Sequence, residues 1–158
     1  MKRIAVFPGS FDPVTKGHES LVLRALPLFD KIIVAIGVNA EKNAYFPLEQ
    51  RIEWLKTIFA NFPAVEIDHY SGLTVEYCKS HDAGYILRGL RTSADFEFER
   101  SVGQVNKKLY PSIENIFMLT LPEYTPINSG IVRDVKKNGG DIRIFVPEQI
   151  ADSIQSWQ

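Results

Sequence analysis

The chain has 158 residues, a formal net charge of −1 and a single cysteine, with 45% hydrophobic against 23% charged residues. That length suits one domain, spanning 1–158, with a substantial core, and the balanced charge offers no field for bulk nucleic-acid or membrane-surface binding. A lone Cys78 cannot close an internal disulfide, no apolar run approaches the roughly 18–20 residues of a membrane span, and no signal-peptide pattern precedes the first apolar run, so a cytoplasmic setting is expected.

In chain order, the first apolar run, Ile4–Phe7, reads as a buried strand, and a Gly/Pro-rich turn follows it. Leu21, Val22, Ala25, Leu26 and Phe29 then recur at helical spacing, with Pro27 placed to kink or shorten that helix. Ile32–Val38 is a second strand. Leu48, Ile52, Leu55 and Phe59 form a helix opened by Pro47. Val65–Asp68 is a third strand, Val75, Tyr77 and Cys78 mark a short helix, and Tyr85–Leu87 is a fourth strand. A charged, mixed helix runs from about Ser93 to Leu109, Ile116–Leu121 is a fifth strand, and Ile150, Ile154 and Trp157 close the chain at i, i+4, i+7. Strands alternating with helices predict an α/β fold: a Rossmann-like, doubly wound, five-stranded parallel sheet with right-handed crossovers and helices on both faces.

On that scheme every polar, glycine-bearing segment follows a strand. Pro8 to His18 follows the first, Asn39 to Lys42 the second, Ser71 to Thr74 the third, Arg88-Gly-Leu-Arg91 the fourth, and Pro122 to Gly130 the fifth. In open α/β sheets that edge forms the ligand crevice. A tight turn between strand and helix presents free backbone N–H groups to an anion. Here the turn also delivers His18 to the mouth of the helix, a position suited either to donate a hydrogen bond to a phosphate or simply to cap. Ser10 adds a hydroxyl to the turn, while Asp12 and Pro13 suit a turn-building role. Arg88 and Arg91, flanking Gly89 and Leu90, could clamp a phosphate or pair with Asp95 and Glu99. Lys42, on an exposed loop, reads as solvated on composition alone. Thr74 could cap the short helix, and Asn128 or Ser129 a later one.

The loop is neither G-x-G-x-x-G nor G-x-x-x-x-G-K-[ST], which excludes the usual dinucleotide fingerprint and the Walker A loop. Its pattern, G-S-F-D-P-x-T-x-G-H over residues 9–18, resembles the signature of the nucleotidylyltransferase superfamily in the form where threonine replaces the first histidine of H-x-G-H. Arg88-Gly-Leu-Arg-Thr-Ser-Ala-Asp-Phe-Glu-Phe-Glu99 is similar to the R-G-L-R-x-x-x-D-F-E-x-E block of bacterial phosphopantetheine adenylyltransferases. Order and spacing of the blocks agree along essentially the whole chain.

The resemblance implies transfer of the adenylyl group of ATP to 4′-phosphopantetheine, giving dephospho-coenzyme A and pyrophosphate, with magnesium as the partner of ATP and no fixed metal site. It implies that His18 stabilises the transition state, with Lys42 and Arg91 also catalytic. ATP would be bound by Ser10, Phe11, His18, Gly89, Leu90, Arg91, Glu99 and the run Tyr124, Thr125, Pro126, Ile127, Asn128, Ser129 and Gly130. Ser10, Lys42, Thr74 and Arg88 would hold the acceptor. Glu99 could orient an arginine, a ribose hydroxyl or hydrated magnesium. The last block departs from the family's I-S-S-S, since Asn128 and Gly130 replace two serines and only Ser129 keeps its hydroxyl. A homohexamer and coenzyme A as a feedback ligand are also implied. The alternatives are a related enzyme with another acceptor, such as nicotinamide mononucleotide, and a non-catalytic nucleotide-binding protein.

Overall fold

The computed structural model describes residues 1–39 and 43–158. Five parallel strands, β1 (Ile4–Gly9), β2 (Lys31–Gly37), β3 (Val65–Tyr70), β4 (Tyr85–Leu90) and β5 (Glu114–Leu119), form one sheet in the order β3-β2-β1-β4-β5. The chain therefore reverses its winding beside β1, and the crevice opens at the carboxyl ends of β1 and β4. Successive side chains serve opposite faces. Ala5 and Phe7 of β1 with Ile32, Val34 and Ile36 of β2 enter one core; Val6, Ile33 and Ala35 enter the other. Both faces of the central strands are thus dry, which is why their sequences run almost continuously apolar.

Among the described residues six α-helices flank the sheet: α1 (Lys16–Ala25), α2 (Leu48–Ile58), α3 (Thr74–Ser80), α4 (Ser93–Leu109), α5 (Ser129–Lys137) and α6 (Ala151–Ser156). Leu21 and Val22 of α1, Trp54 and Leu55 of α2, Val132 of α5 and Ile154 of α6 fill the first core. Val75, Tyr77 and Cys78 of α3 fill the second. Cys78 is buried, and that burial pushes its thiol up to about 12, so it packs rather than reacts. As Pro27 predicts, α1 stops early and continues only as a 3-10 turn over Leu26–Leu28.

Each strand bound differs somewhat from the hydrophobic pattern: β1 and β3 run two residues further, to Gly9 and Tyr70, β2 sits one residue earlier, and β5 ends at Leu119 rather than Leu121. β4 runs on through Arg88, Gly89 and Leu90, which lie inside the strand rather than after it. β5 begins at Glu114, two residues before the predicted start, because its pairing with β4 runs from Tyr85↔Glu114 to Leu90↔Leu119. As an edge strand it tolerates the polar pair Glu114 and Asn115 that broke the apolar run. Among the described residues no helix is long and apolar enough to cross a membrane.

Candidate active site

The turn after β1 is fastened from several sides. The Asp12 carboxylate accepts the backbone N–H groups of Tyr45 (2.8 Å) and Phe46 (2.9 Å). Arg51, buried on α2, donates to the Ser10 carbonyl (2.7 Å) and the Phe46 carbonyl (3.0 Å). From α5, the Ser129 hydroxyl donates to the Pro13 carbonyl (2.7 Å) and Arg133 to the Asp12 carbonyl (2.6 Å). Asp12 thus has the turn-building role its residue type predicts. Phe11 stands at φ 46 with its ring buried edge-on against Phe7 and His18, so only its backbone can face a ligand.

His18 occupies the third position of α1 and completes a reciprocal cap. Its backbone N–H donates to the Thr15 hydroxyl (3.4 Å), and its Nδ1 accepts the Thr15 backbone N–H (3.0 Å). The expected cap and the expected ligand donor are therefore the same residue. An Nδ1 that accepts fixes the tautomer: in the neutral ring the proton sits on Nε2. Burial first, then the nearby guanidinium charges of Arg88 and Arg91, hold its pKa down to about 4. The ring is a neutral hydrogen-bond donor at the edge of a cavity.

That cavity, of about 380 Å³, runs from the Pro8–Phe11 turn past His18 and Arg91 to Asn128, Ser129 and Gly130 at the start of α5. Gly89 is also in its wall, and a Cβ there would stand 2.6 Å from Leu21 Cδ1, so the glycine lets α1 lie close against β4. A second cavity of about 380 Å³ opens on the other face, bordered by Gly37, Tyr70, Thr74, Phe98 and Asn106. Pro8, Gly9, Ser10, Arg88 and Glu99 belong to both. They form a partition between two chambers.

Arg88 is the rigid part of that partition. Its Nε and Nη2 donate in a fork to Glu99 (2.9 and 2.7 Å), and its Nη1 donates to the Pro8 carbonyl (2.6 Å). Glu99 is nearly covered, with 11% of its side chain exposed against 33% for Arg88. Of the three possibilities open for Glu99, the arrangement selects the orienting of an arginine. Arg91 is paired more loosely with Asp95 (3.3 Å) at the foot of α4.

Other expected residues fall as follows. Thr74 lines the second cavity but does not cap: Leu73 holds the cap position, and the Thr74 hydroxyl pairs with that of Tyr70 (2.7 Å). Asn128 does cap α5, accepting from the Ile131 N–H (2.9 Å). Ile127 reaches the first cavity, whereas Leu90 is buried. Tyr124 ends a 3-10 turn over Pro122–Tyr124 and borders a shallow hollow with Lys16 and Glu19, and Thr125 and Pro126 likewise stand outside the first cavity's wall. Lys42 lies outside the described residues. Sequence reasoning missed Thr15, Arg51 and Arg133. The pattern Thr15-x-x-His18, with histidine where a capping box has Glu or Gln, was the available signal for the first of these.

A parallel sheet with two chambers at its switch point, divided by an arginine and overlooked by a neutral histidine, defines a nucleotidyltransferase-type protein. Residues 6–135 match the Cytidylyltransferase-like family. The chain is 51% identical to the phosphopantetheine adenylyltransferase of Flavobacterium psychrophilum over 94% of its length and 97% of that protein's. It is 47% identical to that of Cytophaga hutchinsonii (95% and 100%) and 45% identical to that of Caldanaerobacter subterraneus (96% and 95%). The chain belongs to the phosphopantetheine adenylyltransferase family.

Proposed function

We propose that the protein transfers the adenylyl group of ATP to 4′-phosphopantetheine, giving dephospho-coenzyme A and pyrophosphate, as a single domain over 1–158 working in the cytoplasm. The observation that carries this reading is the shared partition: two chambers meet at Ser10 and Arg88 beneath His18, as two phosphate-bearing substrates require. ATP takes the chamber that runs to α5, and the acceptor takes the chamber past Thr74.

The acceptor phosphate is ionised near neutral pH and needs no general base. The remaining work is alignment and neutralisation of charge. An oxygen of the acceptor phosphate forms a bond to the α-phosphorus while the bond to the bridging oxygen breaks, and the electron pair leaves with pyrophosphate. His18 donates from Nε2 to an α-phosphate oxygen, more strongly as negative charge gathers there. Arg88, held by Glu99, meets the acceptor phosphate, with Thr74 and Ser10 beside it; Arg91 meets the nucleotide phosphates. Lys42 is assigned to the acceptor phosphate from its place in the sequence.

Magnesium enters this reading with the nucleotide. Among the described residues no three His, Cys, Asp or Glu groups cluster to hold a metal, and Asp95 and Glu99 in the ATP chamber are already paired with arginines. Phosphate oxygens and water are the donors left for it, a set magnesium accepts, and the ion would spread the charge of the leaving phosphates. Coenzyme A, which contains the acceptor's own pantetheine arm, would compete for the same chambers as a feedback ligand. A homohexamer is supported by α4, where Phe98, Val102, Val105 and Leu109 make an apolar stripe that is 67, 40, 55 and 47% exposed.

The test is pyrophosphate release from ATP with 4′-phosphopantetheine, with nicotinamide mononucleotide, and with no acceptor. Release with phosphopantetheine alone is expected. Preference for the mononucleotide would transfer the reading to another acceptor, and silence with every acceptor would favour a non-catalytic nucleotide binder.

A further inference from the structure

Four backbone carbonyls around the turn after β1 are each held by a side chain. Arg88 takes that of Pro8 (2.6 Å), Arg51 that of Ser10 (2.7 Å), Arg133 that of Asp12 (2.6 Å) and the Ser129 hydroxyl that of Pro13 (2.7 Å). Arg88, Arg133 and Ser129 stand in a chamber wall, where they also meet what the chamber holds. Arg51 does not. It is buried on α2 behind the turn and belongs to the wall of neither chamber. Its Nε donates to the Phe46 carbonyl (3.0 Å), and the Phe46 amide is in turn held by the Asp12 carboxylate. Burial pulls the guanidinium pKa down, and the carboxylates of Asp12 and Glu49 oppose it. For packing alone, an apolar side chain of the same volume would serve as well without burying a charge.

The bond to Ser10 has a geometric consequence. The Ser10–Phe11 peptide is trans, so its C=O and N–H point in opposite directions. With the carbonyl drawn toward α2, the Phe11 N–H is turned to the opposite side, where Phe11 borders the ATP chamber. Among the described residues that N–H donates to no protein acceptor. Phe11 stands at φ 46, in the left-handed region that a bulky aromatic residue avoids. Turning this one peptide over would return Phe11 to negative φ with its ring still seated against Phe7 and His18. It would also reverse the dipole, so that a carbonyl oxygen faced the chamber in place of an amide proton. Local backbone preference favours the turned-over form, and the bond from Arg51 opposes it.

We infer that Arg51 is a positioning residue for adenylyl transfer: by holding the Ser10 carbonyl from behind, it keeps the Phe11 amide aimed at a phosphate in the chamber. This rests on the proposed reaction and adds to it a residue that touches neither substrate. An amide fixed in advance needs no reorganisation as negative charge develops on the phosphate. The fork suits the task, since Nη1 and Nε reach two carbonyls at once and so fix the turn relative to the start of α2. Lysine at this place would keep the charge but has a single nitrogen for both carbonyls. Methionine would fill the stem's volume with no donor at all.

The test uses R51M and R51K in the full-length protein. The Ser–Phe dipeptide occurs once in the chain, so labelling serine with 13C at the carbonyl and phenylalanine with 15N gives a single carbonyl-filtered amide resonance, that of Ser10–Phe11. In wild type, ATP should move this resonance. In R51M it should start from a different position and no longer respond to ATP, with an intermediate response in R51K. Below the melting temperature of each variant, R51M should lower kcat roughly 10- to 100-fold, more than it raises either KM, and R51K should recover part of the loss. A wild-type resonance unmoved by saturating ATP would overturn the inference. So would an R51M protein that melts earlier yet keeps the wild-type kcat and ATP response, which would reduce Arg51 to a tether between α2 and the turn. If R51M does not fold, R51K decides, and wild-type values for both kcat and the ATP response would again overturn it. Suppose instead that the amide answers ATP and loses the answer in R51M, but wild type forms no dephospho-coenzyme A from 4′-phosphopantetheine. That result would count against the acceptor reading and uphold the placing of the amide by Arg51.

Discussion

His18 makes a prediction in which fold and chemistry can be separated by pH. Its pKa is about 4 in the folded protein against 6.5 in an unfolded chain. At pH 7 roughly one imidazole in a thousand is protonated. Above pH 6.5 neither state binds the proton and the group is neutral to stability. As pH falls below 6.5 the unfolded chain takes up a proton that the folded site refuses, so stability is lost progressively down to about pH 4. Each pKa unit corresponds to about 1.4 kcal/mol, which puts the full loss on the order of 3 kcal/mol, with about 2 kcal/mol gone by pH 5. The useful substitution is His18→Gln, because glutamine at this position can still accept the Thr15 amide in a capping box. Denaturant midpoints of the two proteins should nearly coincide at pH 7.5 and diverge at pH 5, with the variant the more stable. Parallel acid destabilisation would refute the half-buried, neutral imidazole. Its catalytic counterpart is His18→Ala, expected to lower kcat roughly 100- to 1000-fold with little change in ATP affinity. Since the working ring is already neutral, no loss of kcat from His18 is expected between pH 8 and 5; a fall in rate through pH 6.5 on the alkaline side would mean that imidazolium is the active form.

Other substitutions address the partition and the surface. Arg88→Lys keeps the charge but cannot fork onto Glu99, and should cost about 1–2 kcal/mol in chemical denaturation while raising the acceptor KM more than that of ATP. Gly89→Ala inserts a methyl 2.6 Å from Leu21 Cδ1, one turn beyond His18; a loss of about 1–3 kcal/mol is expected by thermal melting, with reduced kcat as α1 shifts. Val105→Glu puts a charge in the exposed stripe of α4 and should reduce the assembly size by light scattering without changing the circular dichroism of the subunit.

The strand–helix alternation was legible because β1 and β2 are dry on both faces and their sequences carry no polar interruption. β5 was misplaced by two residues for the converse reason. Its start is set by the partner strand, and hydrogen bonds to β4 hold Glu114 and Asn115 whatever their polarity. Within the site, His18, Arg88, Arg91 and Glu99 could be picked out because unusual residue types gathered in short blocks at strand ends. Arg51 and Arg133 could not. Each sits in an amphipathic helix among ordinary charges, and each acts on a backbone carbonyl of the turn after β1, far away in sequence: Ser10 for Arg51 and Asp12 for Arg133. Such a contact leaves no spacing to read, because a carbonyl acceptor has no residue type.

The choice between a structural and a functional reading of each residue turned out to be a choice between atoms. His18 uses Nδ1 to cap α1 and keeps Nε2 for the chamber. Asn128 uses Oδ1 on Ile131 and retains its amide protons. Arg133 uses Nη1 on Asp12 and keeps the remainder of its fork. Each of these side chains has more donors or acceptors than the fold requires, and the fold's share fixes the direction of the surplus. Preorganisation has this origin here: a donor already immobilised by its own capping bond loses little further freedom when a phosphate arrives. Alanine at these positions therefore removes a fold contact and a ligand contact together and cannot apportion them. A substitution that retains the fold's atom and changes the other, such as Gln at 18, can separate the two.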